Sequence, residues 1–283
     1  MHIAGPQQPT LKVDVDLVNV LFTVTDAKGR LIPGLTKQDF AVEEDGRKQE
    51  IYSFSKENEL PLTIGMLIDS SPSVSRVFAD EKETAIQFLD STLQPNDLAF
   101  VIGFERAVTL VEDFTDDQRK LRSAINSLAI GQGTSIYDAV YLACKEMFPK
   151  EGGRKAIILI SDGQDTTSKL RFTESMIAAD TSNAVIYSIS NRIGGFFDIR
   201  GTGSPETLKE YSTQTGGTVY FVGGRSDLTR VFDQIAEELR TQYSLAYTST
   251  NTARDGKFRK IRIITCDLSY WVKARTGYYA PKS

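Results

Sequence analysis

Apolar and polar positions divide the 283-residue chain into three zones. Residues 12–57 read as short strands and turns. Val13, Val15 and Leu17 alternate with polar residues, and Val18, Val20, Phe22 and Val24 then alternate on the opposite parity. Successive strand side chains face opposite ways, so the change predicts a bulge or a strand covered on both faces. Asp26-Ala27-Lys28-Gly29 predicts a turn. Asp45-Gly46, flanked by the segments 40–44 and 49–54, predicts a hairpin, because both residue types tolerate the left-handed backbone that a two-residue turn requires.

From about residue 58 to residue 241 strands alternate with helices. Runs at 62–68, 98–104, 156–160, 185–189 and 218–222 are rich in Val, Ile and Leu with little alternation, as expected of strands covered on both faces. Phe78, Ala85, Leu89 and Leu93 share a helical face, as do Leu121, Ile125 and Leu128, and then Ile136, Val140, Ala143 and Met147. Ser204-Pro205 predicts a helix start and Gly216-Gly217 a stop. Ser226 is the expected N-cap of a last helix carrying Leu228, Val231, Phe232, Ile235, Ala236 and Leu239 at helical spacing. Residues 107–111 predict an antiparallel edge strand whose end, Glu112 and Asp113, is a solvated edge.

Beyond Gln242, strands return at 243–248, 258–265 and 270–274, with Asp255-Gly256 in the first connection. Each flanking β zone is too small to bury a core alone. The expected architecture is therefore α/β: a doubly wound, mainly parallel, Rossmann-like sheet over residues 58–241. It is inserted in a small β-sandwich made by residues 12–57 and 242–283, with residues 1–11 a flexible tail.

Composition narrows the chemistry. The one histidine, His2, lies in the N-terminal tail, so histidine-dependent hydrolysis and histidine-ligated zinc are not expected. Cys144 and Cys266 are isolated. The spacing excludes a zinc cluster, while a single disulfide and two separately packed small residues both fit it, the second being favoured. A net charge of −4 without any Lys/Arg run argues against nucleic acid as the principal partner. Residues 1–10 lack a basic start and an apolar stretch, so no signal peptide is expected in them. No apolar run reaches the ~18 residues of a membrane span.

Three polar segments should meet where an open parallel sheet binds ligands, beyond the carboxyl ends of its strands. They are Asp69-Ser70-Ser71-Pro72-Ser73, Gly131-Gln132-Gly133-Thr134-Ser135 and Ser161-Asp162-Gly163. Asp69 and Asp162 offer carboxylates; Ser71, Ser73 and Thr134 offer hydroxyls. Such hard oxygen donors suit Mg²⁺, Mn²⁺ or Ca²⁺, with Mg²⁺ favoured. Two carboxylates balance the ion's charge, and neutral hydroxyls leave it Lewis-acidic towards one more oxygen. Asp165 is a candidate outer-shell partner, with a solvated loop acid as the plainer reading.

The spacing Asp69-x-Ser71-x-Ser73, then Thr134, then Asp162, resembles the metal-ion-dependent adhesion site of the von Willebrand factor type A family. The resemblance implies direct ligation by both serines and the threonine, with the aspartates acting partly through water. Gly34-Leu35-Thr36-Lys37-Gln38-Asp39-Phe40, Glu44-Asp45-Gly46, Gln242-Tyr243, Arg254-Asp255-Gly256-Lys257 and Gly277-Tyr278-Tyr279 are similar to a bacterial group, the acidobacterial VWFA-related proteins. Pro72 and Val74 stand where many bacterial members have Gly and Met; no ligand is lost by this.

Residues 192–203 (RIGGFFDIRGTG) follow a strand end on the same edge. Phe196 and Phe197, among glycines and basic residues, make a candidate ligand-contact loop. The function expected is a non-enzymatic, metal-dependent protein-binding module for adhesion or interaction. Its Mg²⁺-type ion would accept an Asp or Glu carboxylate from a partner, and the helix after the last strand could move on binding. The resemblance implies a bacterial protein exported to the periplasm or beyond. The alternative is a Mg²⁺-dependent phosphoryl-transfer enzyme with Asp69 as nucleophile. Such enzymes need a further acid beside the metal and a phosphate-neutralising Lys, which these segments lack.

Overall fold

The computed structural model describes residues 17–56, 60–190 and 206–282. Residues 1–11, Val13, Val15, Ser204-Pro205 and the loop bearing Phe196 and Phe197 lie outside them. The first strand, β1 (Leu17–Thr25), buries Val18, Val20, Phe22 and Val24 on one side. β2 (Phe40–Glu44) turns through Asp45 and Gly46, at φ 49° and 77°, into β3 (Arg47–Gln49). The strand expected over 49–54 divides at Glu50: Gln49 ends β3, while β4 (Ile51–Lys56) joins a different sheet.

The central zone opens with β5 (Leu62–Asp69), followed by α1 (Phe78–Thr92), β6 (Leu98–Phe104), β7 (Val108–Thr115) and α2 (Gln118–Ser127). Next come α3 (Ile136–Tyr141), a π-helical turn (Leu142–Met147), β8 (Arg154–Ile160), α4 (Phe172–Ser182) and β9 (Val185–Ser190). The zone closes with α5 (Glu206–Thr215), β10 (Val219–Phe221) and α6 (Arg225–Thr241). Its six strands lie in the order β7-β6-β5-β8-β9-β10, parallel except for the edge strand β7. This is a doubly wound sheet whose strand order reverses between β5 and β8, the usual position of a ligand crevice. Alternate strand residues feed two cores. Ile64, Met66 and Ile68 meet α1, α2 and α6 on one face, while Leu67, Ile157 and Leu159 meet α3, α4 and α5 on the other.

Two features correct the sequence expectation here. Helix α4 is not foreseen by apolar spacing, because its buried face is built from Ser175, Met176, Ala178 and Ala179 while Ile177 is exposed. Ser226 is not the N-cap of α6; Gly224 is, so the helix starts two residues earlier, at Arg225, and the Asp227 carboxylate accepts the Gly223 N–H. Gly217 permits close approach of chains at the start of β10. A Cβ there would stand 2.0 Å from the Ile186 carbonyl oxygen. Gly217→Ala must push β10 away from β9 and is expected to cost about 1–3 kcal/mol, read as a lower urea midpoint.

The C-terminal strands are β11 (Tyr243–Thr248), β12 (Phe258–Thr265), β13 (Trp271–Ala274) and β14 (Gly277–Tyr279), the last unforeseen because only three residues pair. They interleave with the N-terminal strands in two four-stranded sheets, β13-β1-β11-β4 and β14-β12-β2-β3. The sheets share one core in which Phe22, Phe40, Phe54 and Tyr243 pack ring on ring. Cys266 is exposed in the turn after β12 rather than packed, Cys144 is buried in the π-helical turn, and both are free thiols.

The strands from the two chain ends contact the α/β sheet at the amino-terminal edge of its strands. Arg275, between β13 and β14, reaches Asp180 of α4 at 3.1 Å and Asn183, and Lys273 pairs with Glu238 of α6.

Candidate functional site

Asp69 is the last residue of β5, and hydrogen bonds turn the chain sharply after it. The Ser70 N–H donates to Phe104 O at 2.9 Å, while Ser70 O accepts the Gly131 N–H at 2.8 Å. The first of the three predicted segments is thus tied both to the end of β6 and to the second segment. Ser71 N–H donates to Asp69 Oδ1 at 2.8 Å, and the Ser71 and Ser73 hydroxyls lie 2.8 Å apart. Asp69, Ser71 and Ser73 do come into one group, but not by alternation along an extended loop: Ser71 caps a single 3-10 turn, Pro72–Val74, and that turn brings the Ser73 hydroxyl back to Ser71.

Ser161, at the end of β8, donates its hydroxyl to Asp69 Oδ2 at 2.6 Å and accepts the Gly163 N–H. This link across the switch point brings Asp162 close enough for its charge to act on Asp69. Ser161 is a residue that the sequence reading passes over. Its signal was positional: it precedes Asp162, and so on a strand end it faces the way Asp162 does not. Thr134 is held from the loop that follows the third segment. Its N–H meets the Thr166 and Thr167 hydroxyls at 2.9 and 3.1 Å, and its carbonyl accepts both of their N–H groups. Ser135 Oγ donates to Arg106 O on the β6–β7 loop.

Asp165 is neither a solvated loop acid nor in contact with Asp69. Its carboxylate accepts the Tyr137 N–H and the Ser168 hydroxyl, which fixes the start of α3 and hence Thr134 just before it. Glu105 accepts the Gln132 and Ala107 N–H groups, and the main-chain donors of Gln132, Arg106 and Ala107, with the Arg106 charge, hold its carboxyl below the ordinary range against the opposing effect of burial.

Asp69, Ser71, Thr134 and Ser161 are buried, Asp162 half-buried and Ser73 exposed. Burial pushes the Asp69 carboxyl up from 3.8 to about 6, against the lowering effect of its hydrogen bonds from Ser161 and Ser71, and the Asp162 charge adds to the rise. Among the described residues Asp69 has no cationic side chain as an ion-pair partner. Nor do three His, Cys, Asp or Glu residues cluster anywhere among them. Two neighbouring carboxylates without a counter-charge, under a rim of hydroxyls, fit a hard divalent cation and do not fit a soft one.

Residues 64–164 match the family model of the von Willebrand factor type A domain. That stretch runs from β5 past Asp162, and the α/β unit is a von Willebrand factor type A domain. Comparison with curated proteins finds no match. Among solved structures, a von Willebrand factor type A protein from Catenulispora acidiphila is 11% identical, with a TM-score of 0.55 over 96% of this chain and 76% of that one. Proximal thread matrix protein 1 from the mussel byssus, with a zinc-occupied MIDAS motif, is 18% identical with a TM-score of 0.54. That match covers 66% of this chain and 47% of that chain, so the present chain spans about half the mussel protein's length. The von Willebrand factor domain of the type V pilus tip protein Mfa5 from Porphyromonas gingivalis is 14% identical, with a TM-score of 0.50 over 63% and 94% of the two chains. At these identities the likeness is one of fold. No helix among the described residues is long and apolar enough to cross a membrane.

Proposed function

We propose that this protein is a non-enzymatic, metal-dependent protein-binding module, exported in its bacterial host, in which a Mg²⁺-type ion accepts a partner's carboxylate. The observation that carries this reading is the buried, uncompensated Asp69 carboxylate beside Asp162, with Ser71 and Ser73 bonded hydroxyl to hydroxyl above it. Asp69, Ser71, Ser73, Thr134 and Asp162 would hold the ion, and Thr166, Thr167 and Ser161 would orient them. Bound there, the ion supplies a Lewis-acidic position open to one further oxygen. The mussel byssus matrix protein with its zinc-occupied MIDAS motif and the pilus tip protein, both of like fold, support the class of function. The reading of residues 12–57 and 242–283 as one domain and 58–241 as another belongs to this proposal, as does likeness to the acidobacterial group. The phosphoryl-transfer alternative gains no support: Asp69 is buried with both oxygens engaged by Ser71 and Ser161, which suits a ligand-holding carboxylate better than a nucleophile.

The raised Asp69 pKa gives a pH dependence. In metal-free protein the folded state takes up this proton near pH 6 and the unfolded chain only near 3.8. Stability contributed by the group is therefore lowest above pH 6 and rises as pH falls from 6 towards 4. Metal binding has the opposite sign, because the ion needs the carboxylate. Calorimetric titration of Mg²⁺ at pH 5 should give an affinity about tenfold weaker than at pH 7.5. Equal affinities at the two pH values would remove Asp69 from the site. For the partner itself, retention of a protein from host extract in Mg²⁺ and its release by chelator is the expected behaviour.

A further inference from the structure

Charges around the candidate ion are unevenly used. The acidic side chains beside it are occupied by main-chain donors: Glu105 by Gln132 and Ala107, Asp165 by Tyr137, and Asp138 by Lys169 and Leu170. Arg106 is different. It lies two residues past Phe104, whose register partner is Asp69, so it stands at the carboxyl edge of the sheet. Its backbone is fixed to the Thr134 segment, since Arg106 O accepts the Ser135 hydroxyl at 3.0 Å. A Cβ on Gly133, the neighbour of Thr134, would come 3.5 Å from Arg106 Cβ. The side chain is exposed and forms no ion pair or hydrogen bond among the described residues; Arg76, three residues past Ser73, is exposed and unpaired as well.

A guanidinium on this loop, beside Thr134, whose carboxylate neighbour Glu105 interacts with it only through charge and spends its oxygens on the Gln132 and Ala107 N–H groups, is placed to meet an anion brought by a partner. We infer that Arg106 is a specificity residue of the partner-binding face, receiving a second acidic side chain close to the carboxylate that completes the ion's coordination. This rests on the metal-dependent binding reading above. The partner is then a protein segment with clustered Asp or Glu residues rather than an isolated one. A pair at an exposed rim contributes modestly, chiefly to association rate and to the choice between partners.

The test uses full-length protein and three peptides of equal length immobilised at equal density. One carries a single Glu among Gly and Ser, one that Glu followed by two Asp, and one that Glu followed by two Lys. Mg²⁺ calorimetry on the same protein samples runs in parallel. Wild type should favour the Asp-flanked peptide in Mg²⁺, and Arg106→Gln should reduce that preference about threefold to fivefold while still binding Mg²⁺. Arg106→Glu should reverse the order of the Asp- and Lys-flanked peptides. Roughly 1 M salt, with a screening length of about 3 Å, should erase the preference. If Mg²⁺ binds and the peptides keep the same order in wild type and Arg106→Glu, the inference is overturned and the metal site stands. If Mg²⁺ does not bind wild type, the underlying reading falls. Bound Mg²⁺ with no chelator-sensitive retention of any peptide contradicts the carboxylate partner and this inference together.

Discussion

Replacing Asp69 by asparagine is expected to abolish divalent-cation binding and, in metal-free protein, to raise the melting temperature by a few degrees. The two effects have one cause. The Asp69 carboxylate is buried beside Asp162 and has no cationic partner among the described residues, so its charge costs stability until an ion arrives. A rise from 3.8 to about 6 corresponds to a cost on the order of 1–3 kcal/mol in the ionised, metal-free state. Asparagine keeps an acceptor for the Ser71 N–H, and the Ser161 hydroxyl can rotate to accept from the new amide. An ion at a hundredfold excess over its dissociation constant stabilises wild type by about 2.7 kcal/mol and the variant not at all. The order of the two melting temperatures should therefore invert on adding Mg²⁺. Ser71→Ala and Thr134→Ala, which remove neutral ligands, should weaken the ion without that inversion. A variant that is less stable than wild type both with and without Mg²⁺ would show that Asp69 is structural.

The second large effect lies at the opposite edge of the sheet. Asp180→Ala should destabilise the protein by about 3–5 kcal/mol, because it leaves the Arg275 guanidinium buried without its counter-charge. Asp180 accepts from both Arg275 and the Tyr279 N–H, and Arg275 is fixed further by Asn183 and the Gly277 carbonyl. Burial raises the Asp180 pKa and lowers that of Arg275, and the mutual attraction offsets only part of each shift. The pair is thus strongly coupled and contributes little net stability. Asp180→Ala combined with Arg275→Met should recover most of the loss, as measured by urea denaturation of the four proteins. If the two single losses simply add in the double variant, this coupling is absent.

Much of this arrangement is legible in the sequence, for physical reasons. Fully covered strands such as β6 and β8 admit few polar residues, so Leu98–Phe104 and the run before Ser161 stand out. The reversal of strand order between β5 and β8 then brings the ends at Asp69 and Ser161 together. Legibility fails where burial does not require large apolar side chains. Helix α4 packs through alanine and serine, and a single residue, Glu50, separates β3 from β4 although the two strands lie in different sheets. The support of the candidate site was also hidden. Thr166 and Thr167 meet Thr134 across 32 and 33 residues of chain, and Asp165 turns to Tyr137 rather than to Asp69. Such contacts depend on loop conformation, which apolar spacing does not encode.

The central claim is that five oxygen donors hold one divalent ion at the carboxyl edge of the sheet. Anomalous scattering from crystals of the full-length protein soaked in Mn²⁺ tests it most directly. The account predicts one manganese peak bounded by the side chains of Asp69, Ser71, Ser73, Thr134 and Asp162, with a position open to solvent or partner. At saturating Mn²⁺, no peak at those side chains, or a peak confined to another part of the surface, would contradict it.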